Sequence, residues 1–311
     1  MLLIFESILP IFLLVLLGAA LKRSSFINAT LWDGLEQLGY YVLFPALLFY
    51  TLATADFTKI DIGLIGAVSN GAVILMAGLV LALWPVLRRA GVGAPAFSSL
   101  FQCSTRWNAF VALAIGQKIF GTEGIAIIAV IMAAIIVPIN LINVSVLLWF
   151  SGRWQGYRIF ALRIVTNPLI FSSVAGIVVN LLNIPIYQPL MVTVGLVSQA
   201  SLSLGLIAVG AGLRIADALK PGAMVMLGTA LKLLMFPAVM VGLAILCRVG
   251  GETLVLLALS ASVPTAMNGY LLAKKMGGDA DLYAATATVQ TVASFFTMPL
   301  VMIAASQLAA G

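Results

Sequence analysis

The sequence predicts an all-α membrane protein of ten transmembrane helices arranged as two inverted five-helix repeats. Three observations carry that prediction. Of 311 residues, 63% are hydrophobic and only 8% are charged, against roughly 25% charged in a soluble domain. Apolar runs recur along the whole chain, each long enough to cross about 30 Å of hydrocarbon as a helix. The basic residues alternate from loop to loop, and that alternation fits ten crossings.

The elements follow in order. The first run, 2–21, is followed and not preceded by Lys22 and Arg23, which speaks against a cleaved signal peptide. Runs at 34–54, 62–87, 95–117 and 124–150 complete a first set of five. Runs at 164–182, 189–213, 221–247, 252–273 and 282–308 form a second set. No stretch between them is polar and long enough for a soluble domain. None alternates as the strands of a membrane β-barrel would.

The loops after helices 1, 3, 5, 7 and 9 hold Lys22, Arg23, Arg88, Arg89, Arg153, Arg158, Arg163, Arg214, Lys220, Lys274 and Lys275. The other side, with both termini, holds Lys59, Lys118 and Arg248. Cytoplasmic loops carry the excess of Lys and Arg, so both termini are expected on the non-cytoplasmic side. The same bias accounts for the net charge of +6 without a nucleic-acid partner; the partner implied is the lipid bilayer.

The basic linker 151–163 separates a first repeat, 1–150, from a second, 164–311. Five is odd, so the second half enters from the opposite face. The halves share an ordered series. In helix 4, Asn108 is followed by Lys118, Gly121, Glu123, a new apolar run and Pro138. In helix 9, Asn268 is followed by Lys274 and Lys275, Gly277 and Gly278, Asp279 and Asp281, a new run and Pro299. Inverted repeats of this kind mark secondary transporters, whose sites lie near the midplane at discontinuous helices.

Two polar clusters fall inside spans. In "SVPTAMNGY" (262–270), Pro264 removes a backbone donor and opens helix 9. The freed groups must face protein or a cavity, never lipid, and Asn268 stands at the break. In "QCSTRWN" (102–108), Arg106 costs about 2.5–3.5 kcal/mol or more at a helix centre. It lies too deep to snorkel, and its planar donor fork suits a carboxylate. Thr105, Arg106, Asn108, Pro264, Asn268 and Gln290 are therefore the candidate substrate-binding residues. Gln290 is chosen because helix 10, with Thr286, Thr288 and Thr291, directly follows the broken helix. Asn70, Asn140, Asn143 and Gln199 read as interhelical glue, and Ser201, Gly205 and Gly212 as close-packing residues. Lys232 is a charge partner, a stand-in for a coupling cation, or a residue of a wet cavity.

Chemistry is bounded by what is missing. There is no histidine and no G-x-S-x-G, so an intramembrane enzyme of the usual serine or metal type is not expected. No cofactor and no resident metal are expected. Cys103 and Cys247 fall in or at the end of spans and are expected as free, buried thiols.

The stretches "LGYYVLFPALLFYTLA" (38–53), "TRWNAF" (105–110) and "SVPTAMNGYLLAKKMGGDADLYAATATVQTVASFFTMPLV" (262–301) resemble the auxin efflux carrier family, which includes plant carriers and bacterial carriers of organic anions such as malate and malonate. The resemblance implies a scaffold from helices 1, 2, 6 and 7, often a homodimer, and a transport domain from helices 3–5 and 8–10. It implies that helices 4 and 9 are interrupted and cross at mid-membrane, with the family asparagines at Asn108 and Asn268 and the helix 9 proline at Pro264. It also implies an elevator movement carrying a small organic anion, in the inner (cytoplasmic) membrane of a bacterium. Many relatives have a proline near the crossing in helix 4; "NAFVALAIG" (108–116) has none, so its break must come from the polar heptad or be milder. A coupling ion, H+ or Na+, is left open, since carbonyls with Asn, Thr and Ser oxygens could cage sodium. The alternatives are a carrier resembling the bile-acid sodium symporters and a non-transporting membrane receptor.

Overall fold

The computed structural model describes residues 2–24, 27–57, 61–151, 168–213, 221–267 and 269–310. The linker 151–163, apart from Ser151, lies outside these residues, as does Asn268. Among the described residues every regular element is helical.

In chain order they are α1 (Leu2–Arg23), α2 (Ala29–Leu38), α3 (Phe44–Ala53), α4 (Ile62–Ala82), α5 (Trp84–Arg89), α6 (Ala94–Thr105) and α7 (Ala109–Ser151). There follow α8 (Pro168–Leu181), α9 (Gln188–Ala211), α10 (Ala223–Ala230), α11 (Phe236–Leu246), α12 (Gly251–Ser262), α13 (Gly269–Met276) and α14 (Ala280–Ala310). Among the described residues, five helical runs are long and apolar enough to cross a membrane by length and composition, and two shorter apolar helices, α8 and α12, accompany them.

Prolines set several of the joints. One wide π turn, Gly39–Leu43, links α2 to α3, and another, Leu231–Met235, links α10 to α11. Each is followed by Phe-Pro. Pro45 and Pro237 have no N–H to give the carbonyl four residues back, and the preceding turn opens by one residue. Accordingly Phe44 N–H reaches Gly39 O and Phe236 N–H reaches Leu231 O. Within α7, Gly121 has φ 61° and ψ −142°, a corner that separates 109–120 from 122–151, as the two apolar runs there predicted.

Helices α1, α3, α8 and α9 pack chiefly on one another, while α4, α6, α7, α10, α11, α12 and α14 form a second cluster. The tightest approach in the first group is α1 on α9. A Cβ at Gly18 would strike the backbone of Ile207, and one at Gly210 the backbone of Val15, so small residues let these two backbones touch. Both cysteines are free; Cys103 is buried, but Cys247 is exposed. The expectation of burial fails at Cys247 because it caps the end of α11, past the last packed turn.

Candidate functional site

Two helices stop in the protein interior and meet. Helix α12 ends at Ser262, and Val263 turns extended (φ −66°, ψ 152°). That is the conformation a following proline imposes on its neighbour. Helix α6 ends at Thr105, and Arg106 is likewise extended (φ −72°, ψ 159°), although no proline follows. The break in α6 is therefore full. Asn108 takes over the work a proline would have done. Its Oδ1 accepts from Val111 N–H at 3.4 Å, capping the start of α7. Its own backbone N–H donates to Pro264 O at 2.8 Å. One break thus supplies the hydrogen bond that the other lost, and the two segments are joined where they pass.

The carbonyls at the α6 and α12 ends need partners too. Gln290 on α14 answers one of them and ties the second break and α10 to it. Its Oε1 accepts from Thr265 N–H at 2.9 Å, and its Nε2 donates to Cys103 O at 3.2 Å and Gly228 O at 3.0 Å. Tyr283 adds a second tie: its hydroxyl donates to Ala266 O and lies 3.0 Å from Thr265 Oγ1. Gly269 permits this, since a Cβ there would collide with the Tyr283 ring and hydroxyl.

In front of the crossing lies a cavity of about 1390 Å³. Its wall takes Arg106, Trp107, Asn108 and Phe110 from the first break, Ala266, Met267 and Tyr270 from the second, and Asn140 from α7. The facing wall is α9, with Gly205, Ala208 and Gly212, and the mouth carries Lys22, Asp33 and Lys275. Among the described residues the lining thus holds three cations, Arg106 included, against one carboxylate.

Arg106 is only 4% exposed. Its Nε donates to Gln102 Oε1 and its Nη2 to Asn140 Oδ1, both at 3.3 Å. Both acceptors are neutral amides, and among the described residues the guanidinium pairs with no carboxylate. Three of its five N–H groups therefore have no partner among those residues.

Of the residues singled out in the sequence, Arg106 and Asn108 line the cavity. Thr105, Pro264 and Gln290 stand behind it. Thr105 Oγ1 is spent on Phe101 O and Asn143 Oδ1, and Pro264 offers its carbonyl to Asn108. Thr286, Thr288 and Thr291 bond back into their own helix. Asn268 lies outside the described residues. Sequence reasoning undervalued Asn140, Gly205, Gly212 and Tyr283. Asn140 carried a signal, an amide two residues past Pro138 in a span, but nothing in one sequence pairs it with Arg106.

A family profile described as a membrane transport protein matches residues 153–302. A protein of Methanothermobacter thermautotrophicus (strain Delta H), described as an uncharacterized transporter, is 27% identical over 300 residues. That alignment covers 95% of this chain and 96% of the relative.

Proposed function

We propose that this transporter of the auxin efflux carrier family carries small organic anions, bound at the crossing of its two broken helices, by alternating access. The observation that carries the proposal is Arg106: a guanidinium on the cavity wall, held by two neutral amides, with N–H groups to spare. A buried cation without a counter-ion is costly, and a carboxylate in the cavity would supply one with a matching bidentate edge. The excess of positive charge along the wall and mouth favours anions before they arrive. Trp107, Phe110 and Met267 offer apolar surface for the rest of the molecule.

The proposal extends to architecture. The chain crosses the membrane ten times, as two inverted repeats of five. The scaffold consists of helices 1, 2, 6 and 7 and comprises α1–α3, α8 and α9. The remaining helices move as the transport domain. Supporting this reading, each group packs mainly within itself, and α9 forms one wall of the cavity while the breaks form the other.

Reconstitution into liposomes with labelled dicarboxylates tests the function. Saturable uptake that falls when a competing anion is added, and does not respond to the neutral diamide of the same acid, is the expected result. Binding without flux would make the protein a receptor.

A further inference from the structure

Lys232 is a second cation sealed in the interior, and the cavity does not reach it. It is 0% exposed and sits in the π turn Leu231–Met235. Its Nζ donates to Ala261 O at 3.0 Å and lies 4.2 Å from the centre of the Phe236 ring. Among the described residues no carboxylate pairs with it.

The reason lies in the end of α12. In an unbroken helix, Ala261 O would accept from Thr265 N–H. Here that N–H goes to Gln290 Oε1. Pro264 has no N–H for Ser260 O. The last turn of α12 therefore ends in carbonyls without intrahelical donors, at the negative end of a helix dipole, far from water. Such carbonyl groups at an interrupted helix form a seat for a small monovalent cation, and an aromatic face opposite improves it. The other break differs. At the end of α6, Cys103 O is answered by the neutral amide of Gln290.

We propose that the Lys232 ammonium is a resident cation in this seat, and that the chain consequently works without bound sodium. As a statement about transport it rests on the function proposed above. As a statement about the fold it does not.

The test is run on the purified full-length protein. Thermal unfolding in detergent is followed while sodium chloride replaces choline chloride at constant ionic strength, and flux is measured in liposomes under the same exchange. Wild-type midpoint and flux are expected to be unchanged by sodium. Lys232→Met keeps the bulk without the charge, and is expected to lower the midpoint and cut flux by about tenfold, as leaving a buried carbonyl unpaired would. Lys232→Ala leaves room for a cation, and its lowered midpoint is expected to recover saturably with sodium or methylammonium but not with choline.

A saturable sodium response of the wild type overturns the proposal. So does wild-type behaviour of Lys232→Met, or indifference of Lys232→Ala to both small cations. If neither variant is recovered folded, the wild-type titration decides alone. Absence of carboxylate flux with these unfolding results intact would reject the transporter reading and leave the resident cation standing.

Discussion

Arg106 and Asn108 stand two residues apart at the first break, Arg106 on extended backbone, and among the described residues the guanidinium has donors left over for a ligand. For Arg106 the inference is sharpest. Charge-assisted hydrogen bonds contribute about 1.5–3 kcal/mol each, or roughly ten- to a hundredfold in affinity. Arg106→Ala should therefore reduce anion uptake to background while the protein still inserts and folds, since its two present partners are exchangeable amides. Arg106→Lys keeps the charge and loses the planar fork. It should retain measurable flux with KM raised by about tenfold or more. Uptake kinetics across a concentration series separate these outcomes; wild-type kinetics for the alanine variant would remove the guanidinium from the site. Asn268 is proposed as the amide of the second break, and Asn268→Ala should weaken uptake in the same assay. That Arg106 would face a cavity or a partner was readable from the sequence, because an arginine in mid-span has few other places to go. That Asn140 holds the guanidinium was not, since residues 34 positions apart leave no local signal of their contact.

At the scale of elements, both breaks depend on donors borrowed from elsewhere. Gln290 satisfies Thr265 N–H, Cys103 O and Gly228 O together. Gln290→Leu strips all three while keeping most of the volume. With about 1–3 kcal/mol for each buried polar group left unpaired, the variant should unfold at a clearly lower temperature and lose flux. Gln290→Glu keeps an acceptor for Thr265 N–H but loses both donors, and should be no better. Equal midpoints for wild type and Gln290→Leu would show that the clip is dispensable. Gly269→Ala tests the neighbouring tie: a methyl group against Tyr283 should cost about 1–3 kcal/mol by overpacking, read as a lowered unfolding midpoint. Here the sequence told half the story. Pro264 announces its break because proline acts locally. The break at Arg106 has no such marker; it is sustained by Pro264 O, a partner more than 150 residues away. The glycines at 121 and 277, by contrast, each mark a corner that follows one of the breaks, with φ of 61° and 81°, because positive φ selects glycine directly.

For the whole molecule, the cavity lies between two groups of helices that each pack chiefly within themselves, and an elevator movement requires one group to slide along the other. The contact to arrest is on the cavity wall. A Cβ at Gly205 of α9 would run into the Phe110 ring, just past the first break, so this glycine gives the ring its place in the present state. Cysteines introduced together as Gly205→Cys and Phe110→Cys, with the exposed Cys247 changed to serine and the buried Cys103 retained, put one thiol on each group. A short thiol-bridging reagent should join them. If the breaks and α9 must part during transport, bridging should abolish whatever flux the unbridged double variant retains, a reductant that releases the bridge should restore that level, and the thermal shift that a bound carboxylate gives the unbridged double variant should survive bridging. Full flux in the bridged protein would mean that substrate crosses while these two surfaces stay together, and the sliding of one helix group along the other would have to be abandoned even if Arg106 kept its role.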